Sequence, residues 1–156
     1  MKKLFLIPFV LVFIVSCGGS QGDSNTKENA DAAENFIYLV LNEPDEAKKF
    51  MHEDFTFRFM GKIPVYAQGG SVIKKSYDAE TYFTEFLEVV GALLPEGITL
   101  APLDVIADED SAAVIMVGDA EGAYGEYDNE YVFTFKFKDG KIIELDEYTS
   151  DVLVAE

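Results

Sequence analysis

The chain begins with an apolar run that is followed by a polar one. Residues 4–15 (LFLIPFVLVFIV) are all apolar, whereas residues 18–32 (GGSQGDSNTKENADA) contain no aromatic or large aliphatic side chain. The apolar run is shorter than the about 20 residues that a transmembrane helix needs. Because it follows Lys2 and Lys3, it is typical of the central region of a secretory signal. The polar run is typical of a flexible tether.

The only cysteine of the chain, Cys17, directly follows the apolar run. The aliphatic and small residues before it resemble a bacterial lipobox, in which cleavage leaves an acylated cysteine as the first residue. We therefore predict a lipoprotein signal peptide over residues 1–16, a tether over 17–30 that starts at acylated Cys17, and one domain over 31–156. The acyl chains would make the membrane a partner, because each buried CH₂ contributes about 0.8 kcal/mol. The predicted location is the bacterial cell envelope outside the cytoplasm, with the outer membrane or cell surface favoured. The alternatives to the lipoprotein signal are an uncleaved anchor and a cysteine that stands there by chance.

Helical periodicity opens the predicted domain. Residues 31–42 place apolar side chains on one side of a helix, and the following NEPDEAKKFM has Pro44 near a first turn, which predicts a second helix. A third helix is predicted over about 79–94, where Pro95 and Gly97 end it. Its apolar stripe consists of Tyr82, Phe83, Phe86, Leu87, Val90, Leu93 and Leu94.

Strand patterns dominate the remainder of the chain. In DFTFRFMG three phenylalanines alternate with other side chains, which indicates a strand with two distinct faces. Further strands are predicted in ITLAPLDVIA, AAVIMVG, NEYVFTFKF and KIIELDEYT. Three helices and a run of strands predict an α+β fold with an antiparallel sheet.

The register of the last hairpin decides which side chains share a face. A simple two-residue turn ending at Gly140 would set Phe135 opposite Glu144 and Phe133 opposite Asp146, which buries acids against aromatics. A bulge at Gly140 after a type I turn slips the register by one residue and turns these acids outward. We therefore predict the bulged form. Its pairs are Phe135 with Ile143, Phe133 with Leu145 and Tyr131 with Glu147.

Charge excludes some partners. The chain has 12 basic and 29 acidic residues, a formal charge of −17, which repels nucleic acid, so no nucleic-acid partner is predicted. Cys17 and His52 are the only residues of their types, so no disulfide, metal site or cofactor is predicted and His52 is interpreted as structural or inert. The acidic stretch 118–130 lacks the spacing of a calcium loop and is interpreted as solvated turn residues.

Residues 127–148, YDNEYVFTFKFKDGKIIELDEY, resemble the end of a SnoaL-like domain. This group belongs to the nuclear transport factor 2-like superfamily, together with the ketosteroid isomerases. The resemblance covers about residues 30–154 and implies a cone, in which a curved antiparallel sheet wraps around a long helix, with two N-terminal helices and an internal pocket. The family contains isomerases, dehydratases, cyclases, epoxide hydrolases and binding domains, so the fold does not settle the function.

The catalytic positions of the family are not matched here. Ile37 stands where the isomerases place a tyrosine, Arg58 falls near their general-base aspartate, and Phe133 falls near their second acid. The acid of the SnoaL-type cyclases corresponds to Ser150, with Asp151 one step later, and one step reverses the face of a strand. These departures argue against that chemistry.

The resemblance and the register together imply a pocket face. Its predicted residues are Tyr131, Phe133, Phe135, Ile143, Leu145 and Glu147. Glu147 is the weak catalytic candidate, as a ligand-orienting group or general base; the alternative is a solvated rim residue. Arg58 could pair with Glu147, bind an anion, or lie on the surface.

Three functional hypotheses follow. The leading one is a lipid-anchored domain that binds a small, largely apolar ligand, oriented by Tyr131 and Glu147, without catalysis or cofactor. The second is an isomerase, dehydratase or cyclase that uses Glu147 as base, with Arg58 or a tyrosine stabilising negative charge. The third is a protein-interaction module, a homodimer packed through the open face of the sheet.

Overall fold

The computed structural model of the protein describes residues 21–62 and 73–150. The predicted signal peptide at 1–16, the predicted acylation site Cys17 and the position Asp151 lie outside the described residues. No helix within the described residues is long and apolar enough to cross a membrane.

The first helix, α1, spans Gln21–Asn42 and therefore begins earlier than predicted. The part of the predicted 17–30 tether that the structure describes is helical, which corrects the tether prediction there. Asn29 provides the physical reason. Its side chain is buried, and its amide nitrogen donates hydrogen bonds of 3.0 Å to the backbone carbonyls of Asp108 and Glu109. These contacts fix the start of α1 against the sheet.

The second predicted helix is a single turn. Helix α2 spans Pro44–Ala47 and is followed by a 3₁₀ turn at Lys48–Phe50. Pro44 occupies a first-turn position, where its missing N–H costs nothing. The helix is short because the first strand begins at Met51.

The third predicted helix is a helical segment of three parts, which we call segment 79–93. It comprises α3 at Ala79–Thr81, a π-helical stretch at Tyr82–Phe86 and α4 at Leu87–Leu93. Asp78 caps its start, since the Asp78 carboxylate accepts a 2.8 Å hydrogen bond from the backbone N–H of Thr81. The segment is thus not one regular α-helix, and the π-helical stretch carries the stacked rings of Tyr82 and Phe86.

Six strands form one curved sheet in the order β2-β1-β6-β5-β4-β3. The strands are β1 Met51–Phe59, β2 Ser76–Asp78, β3 Thr99–Ala107, β4 Ser111–Gly122, β5 Gly125–Lys138 and β6 Lys141–Tyr148. Strands β1 and β6 are parallel, so the sheet is mixed and the prediction of an antiparallel sheet is wrong at this pair. Parallel neighbours require a long crossover connection, and β2 to β5 together with segment 79–93 lie between these two strands in the chain.

The predicted bulge at Gly140 is wrong. Lys138 pairs directly with Lys141, and both turn residues have positive φ, 52° and 70°, as a two-residue hairpin of this kind requires. The register instead shifts at Ile143, which is the extra residue of β6 between two flanking pairs. The observed pairs are Phe135 with Leu145 and Phe133 with Glu147, not the predicted ones.

The bulge at Ile143 still separates the acids from the aromatic rings. Without it, the two-residue turn would set Phe135 opposite Glu144. The observed pairing differs from the prediction by two residues, and a shift of two keeps every side chain on the same face. Glu147 therefore shares the inner face with Phe133, while Glu144 and Asp146 lie on the outer face.

The core lies between the inner face of the sheet and the helices. The largest fully buried side chains are Phe36, Phe57, Phe135, Ile142, Leu145 and Val114. Phe57 joins β1 to segment 79–93, because its ring centroid lies 4.7 Å from that of Tyr82 and 4.4 Å from that of Phe86. This aromatic contact holds one end of the segment on the sheet.

Candidate functional site

A cavity of about 180 Å³ lies where segment 79–93 diverges from the sheet. Apart from the polar groups described below, aromatic and aliphatic side chains dominate its wall. The lining residues are Phe59, Ile73, Phe86, Val90, Leu93, Leu94, Gly122, Ala123, Tyr124, Gly125, Glu126, Tyr127, Tyr131 and Glu147.

A smaller cavity of about 70 Å³ adjoins the first and extends toward α1. Phe36, Ile37 and Val40 contribute to its wall from the helix, and Tyr82 from segment 79–93. Five residues line both cavities, namely Phe86, Val90, Leu94, Tyr131 and Glu147. Glu147 thus lies at the junction of the two.

The backbone of Glu147 is fixed by its position between two strands. It pairs with Phe59 of the parallel strand β1 and with Phe133 of β5. Its carbonyl oxygen accepts a 2.9 Å hydrogen bond from the backbone N–H of Met60. Because both neighbours are held in the sheet, the side chain of Glu147 points between aromatic rings into the cavities.

Glu147 is half-buried, and within the described part of the chain no side chain or backbone group donates a hydrogen bond to its carboxyl group. Burial raises the pKa of Glu147 from the ordinary 4.5 to about 8, since desolvation disfavours the charged form. About nine-tenths of the molecules would therefore carry a neutral Glu147 at pH 7. This is a carboxyl group that can exchange its proton near neutral pH.

Besides Glu147, the polar side chains described at the cavities are those of Glu126 and of four tyrosines, namely Tyr82, Tyr124, Tyr127 and Tyr131. The Tyr131 hydroxyl donates to the Tyr127 hydroxyl at 3.2 Å, and the side-chain amide of buried Asn129 donates to the same oxygen at 2.9 Å. A hydroxyl that accepts two hydrogen bonds keeps its own proton for another partner, so Tyr127 can donate to a ligand. Burial raises the pKa values of Tyr131 and Tyr82, and the nearby Glu147 adds to both shifts.

The structure places four of the six predicted pocket residues at the cavities. Tyr131 and Glu147 line both, and Phe133 and Leu145 line the smaller one. Phe135 lines neither, since it is fully buried and packs edge-on against Phe36 with ring centroids 6.2 Å apart.

Ile143, the sixth predicted pocket residue, is half-buried at the bulge and lines neither cavity. The neighbouring Ile142 is buried in its place. The physical reason is the bulge itself, which leaves the extra residue unpaired and turns Ile142 inward.

Arg58 lies on the outer face, where it cannot reach Glu147. Its Nε and Nη2 atoms donate hydrogen bonds of 2.6 Å to the two carboxylate oxygens of Asp146, and Nη2 lies 3.0 Å from Glu144. Of the alternatives for Arg58, pairing with Glu147 is therefore wrong, and the position on the surface is the one observed. Side chains alternate along a strand, and the inward rings of Phe57 and Phe59 force Arg58 outward.

The sequence missed the cavity wall formed by the β4–β5 hairpin. The pattern of the acidic stretch 118–130 predicts solvated turn residues, yet Tyr127 lines the cavity. The backbone N–H of Ala123 also donates a 2.7 Å hydrogen bond to the carbonyl of Leu93, which ties the hairpin to segment 79–93. Gly125, whose φ is 136°, is the residue that allows this tight hairpin tip. The glycines of the stretch were the available signal.

The remaining sequence candidates have structural contacts. His52 Nδ1 accepts a 3.0 Å hydrogen bond from the backbone N–H of Asp54. No group of three or more side chains in the described ranges has the composition and spacing to hold a metal ion.

Comparison with known proteins gives a match that covers most of the domain. The family model described as the SnoaL-like domain matches residues 39–145. No curated protein matches the chain.

Several solved structures share the fold. Bal32a, from a soil-derived mobile gene cassette, superposes with a TM-score of 0.64 at 19% identity and covers 84% of this chain and 95% of that chain. TerC, co-crystallised with polyporic acid, gives 0.65 at 22% identity, with 83% and 99% covered. An epoxide hydrolase of M. tuberculosis similar to LEH gives 0.55 at 16% identity, with 83% and 87% covered.

Proposed function

Because the chain belongs to the SnoaL-like domain family of the nuclear transport factor 2-like superfamily, we propose that it binds a small, largely apolar ligand beside Glu147. The observation that carries this proposal is the unpartnered Glu147 carboxyl at the junction of two apolar cavities. Removing part of a carboxyl group from water without providing a donor is costly. A ligand that supplies a polar partner removes this cost.

The cavity volume limits the size of the ligand. Pockets for drug-sized molecules have about 300–1,000 Å³, whereas the larger cavity has about 180 Å³. A dry apolar cavity of about 150 Å³ holds a benzene-sized molecule. The proposed ligand is thus about the size of one six-membered ring with a short polar substituent, and the smaller cavity offers room for an apolar extension.

A pair of matched variants tests ligand binding. Val90→Phe adds a ring to a side chain that lines both cavities, and Val132→Phe adds the same ring on the outer face of the sheet. The purified proteins would be examined by native mass spectrometry for a co-purified small molecule. We expect the molecule on the unmodified chain and on V132F but not on V90F. Equal loading of V90F and V132F would contradict the proposal.

A catalytic role is the second candidate, and the pKa of Glu147 near 8 favours it. A carboxyl that titrates near neutral pH can act as general acid or base. Arg58 cannot assist it from the outer face, so Tyr127 or Tyr131 would stabilise negative charge. Recovery of the bound molecule unchanged after incubation supports binding, whereas chemical conversion that Glu147→Gln abolishes supports catalysis.

The second part of the proposal is the lipid anchor, which rests on the sequence of residues 1–17. Acylation of Cys17 would hold the domain on the outside of the cytoplasmic compartment, in the cell envelope. Metabolic labelling with a fatty-acid analogue tests this part independently. We expect label on the unmodified chain and none on Cys17→Ala, which should leave the membrane fraction. An unlabelled chain would contradict the anchor.

A further inference from the structure

The charged side chains in the described lining of the cavities are all acidic. Glu126 and Glu147 line the larger cavity, and Glu147 lines the smaller one. No lysine, arginine or histidine belongs to the described lining of either cavity. Arg58 is engaged by Asp146 and Glu144 on the opposite face. A ligand with a carboxylate or phosphate group would therefore meet no opposite charge among the side chains described at the cavities.

We propose that the ligand is a protonated amine on an apolar body of about one ring, with its ammonium group bound by the Glu147 carboxylate and by neighbouring aromatic faces. This proposal rests on the proposed function and names the chemical class of its ligand. Three features of the site support it, namely the unpaired carboxyl, the aromatic walls and the acidity of the chain.

Among possible partners, an ammonium group would stabilise the unpaired Glu147 carboxyl most strongly. A neutral ligand could accept a hydrogen bond from protonated Glu147. An ammonium group instead forms a charge-assisted hydrogen bond, which is roughly twice as strong as one between neutral groups. An opposite charge within about 4–6 Å also favours the ionised carboxylate. The amine thus stabilises the form of Glu147 that burial alone disfavours.

The aromatic walls favour a cation for a second reason. Tyr131 and Phe133 stack with ring centroids 5.5 Å apart beside Glu147, and the contacting rings of Phe59 and Phe86, with centroids 6.3 Å apart, both line the larger cavity. Aromatic faces attract ammonium groups electrostatically, and the attraction is stronger where water is excluded. Beyond the cavity, the net charge of −17 attracts cations to the protein surface.

Binding of an amine near pH 7 releases a proton. Free Glu147 is mostly protonated at this pH because its pKa is about 8. When the ammonium ion binds, the O–H bond of Glu147 breaks, the proton passes to solvent, and the carboxylate pairs with the ammonium ion. Charge is conserved, and no co-reactant is needed. A neutral ligand that accepts a hydrogen bond keeps the proton on Glu147 and releases none.

Few other groups can contribute to the proton count. Tyr82 faces Glu147 from segment 79–93, and Tyr127, Tyr131 and Glu126 face the cavity from β5; from β1 the neighbour is apolar Phe59. Burial raises the pKa values of Tyr82 and Tyr131, so these hydroxyls stay protonated. The matched variant Glu126→Gln shows how much the exposed Glu126 contributes to the measured proton release.

Isothermal titration calorimetry with three probes of equal size tests the proposal. The probes are benzylamine, benzyl alcohol and benzoate, titrated into the purified chain at pH 7 in two buffers that differ in ionisation enthalpy. We expect benzylamine to bind at least tenfold more tightly than benzyl alcohol and to release about 0.9 proton. Its affinity should rise by nearly tenfold from pH 6 to pH 7. Glu147→Gln should lose the preference and the proton release, and Glu126→Gln should keep both.

The outcomes separate this proposal from the proposed function. Benzyl alcohol binding as tightly as benzylamine, or benzoate binding more tightly, overturns the amine and leaves a ligand pocket in place. If benzylamine binds without releasing a proton, or binds equally well to Glu147→Gln, the amine does not pair with Glu147. Either result also overturns the amine proposal. Absence of binding by all three probes contradicts both the amine and a one-ring pocket.

Discussion

Replacing Glu147 by glutamine should change how the stability of the protein depends on pH. The folded state raises the pKa of Glu147 from 4.5 to about 8, so between these pH values the folded state binds more protons than the unfolded state. Stability from this group is fully present below pH 4.5 and is lost as the pH rises to about 8. The acid therefore destabilises the fold at alkaline pH, and glutamine, which does not titrate, removes this effect.

The size of the effect follows from the shift. Each tenfold change in proton affinity corresponds to about 1.4 kcal/mol, which gives an upper value of about 5 kcal/mol between pH 4.5 and 8. Because Glu147 as a whole is half-buried, solvent should reduce this value. We expect the free energy of unfolding of Glu147→Gln, relative to the unmodified chain, to increase by on the order of 2–3 kcal/mol from pH 5 to pH 8.5.

Urea unfolding of both proteins at intervals between pH 5 and pH 9 measures this difference. The contributions of titrating groups that are the same in both proteins cancel when the two free energies of unfolding are subtracted. Glu126→Gln is the control, because it removes an exposed carboxylate from the same cavity and leaves Glu147 in place. Parallel curves for Glu147→Gln would refute the reasoning, since they would mean that the carboxyl is solvated in the folded state.

Three further substitutions test the surroundings of the site. Gly118→Ala places a Cβ atom 2.8 Å from the ring of Tyr131, so we expect a loss of about 1–3 kcal/mol by thermal unfolding and weaker probe binding; unchanged binding would contradict the contact. Arg58→Met removes the bidentate partner of buried Asp146, and urea unfolding should show a loss of about 1–3 kcal/mol with probe affinity unchanged. Asn29→Ala removes two hydrogen bonds, so we expect a loss of about 1–2 kcal/mol and faster amide hydrogen exchange in α1; unchanged exchange would show that these bonds do not hold the helix.

Local pattern predicted five of the six described strands because alternation is a local signal, and it missed β2, which has only three residues. The ends of α1 and the order of the strands are not local. The side chain of Asn29 finds its partners 79 and 80 residues away, and the first turns of α1 carry no apolar stripe that could predict a helix. The parallel pairing of β1 with β6 likewise has no signature in either strand.

The candidate site was predictable where it depends on the face of a strand. Glu147 could be placed on the inner face because the other register would bury Asp146 against Phe133. The face was correct although the bulge lies at Ile143 and not at Gly140. The surface position of Arg58 was among the predicted alternatives for the same reason, since Arg58 alternates with two buried phenylalanines. The cavity itself depends on how far segment 79–93 stands from the sheet, and no residue pattern specifies that distance.

The protonation of Glu147 itself tests the central claim most directly. Carbon-13 NMR of the chain labelled at the carboxyl carbons of glutamate follows each group through a pH titration, and the signal that disappears in Glu147→Gln identifies this residue. If the Glu147 carboxyl is desolvated and has no partner, the midpoint of its titration should lie near pH 8. A midpoint near 4.5 would contradict it, because the group would then be solvated or paired and the cavity would hold no unsatisfied acid for a ligand to meet.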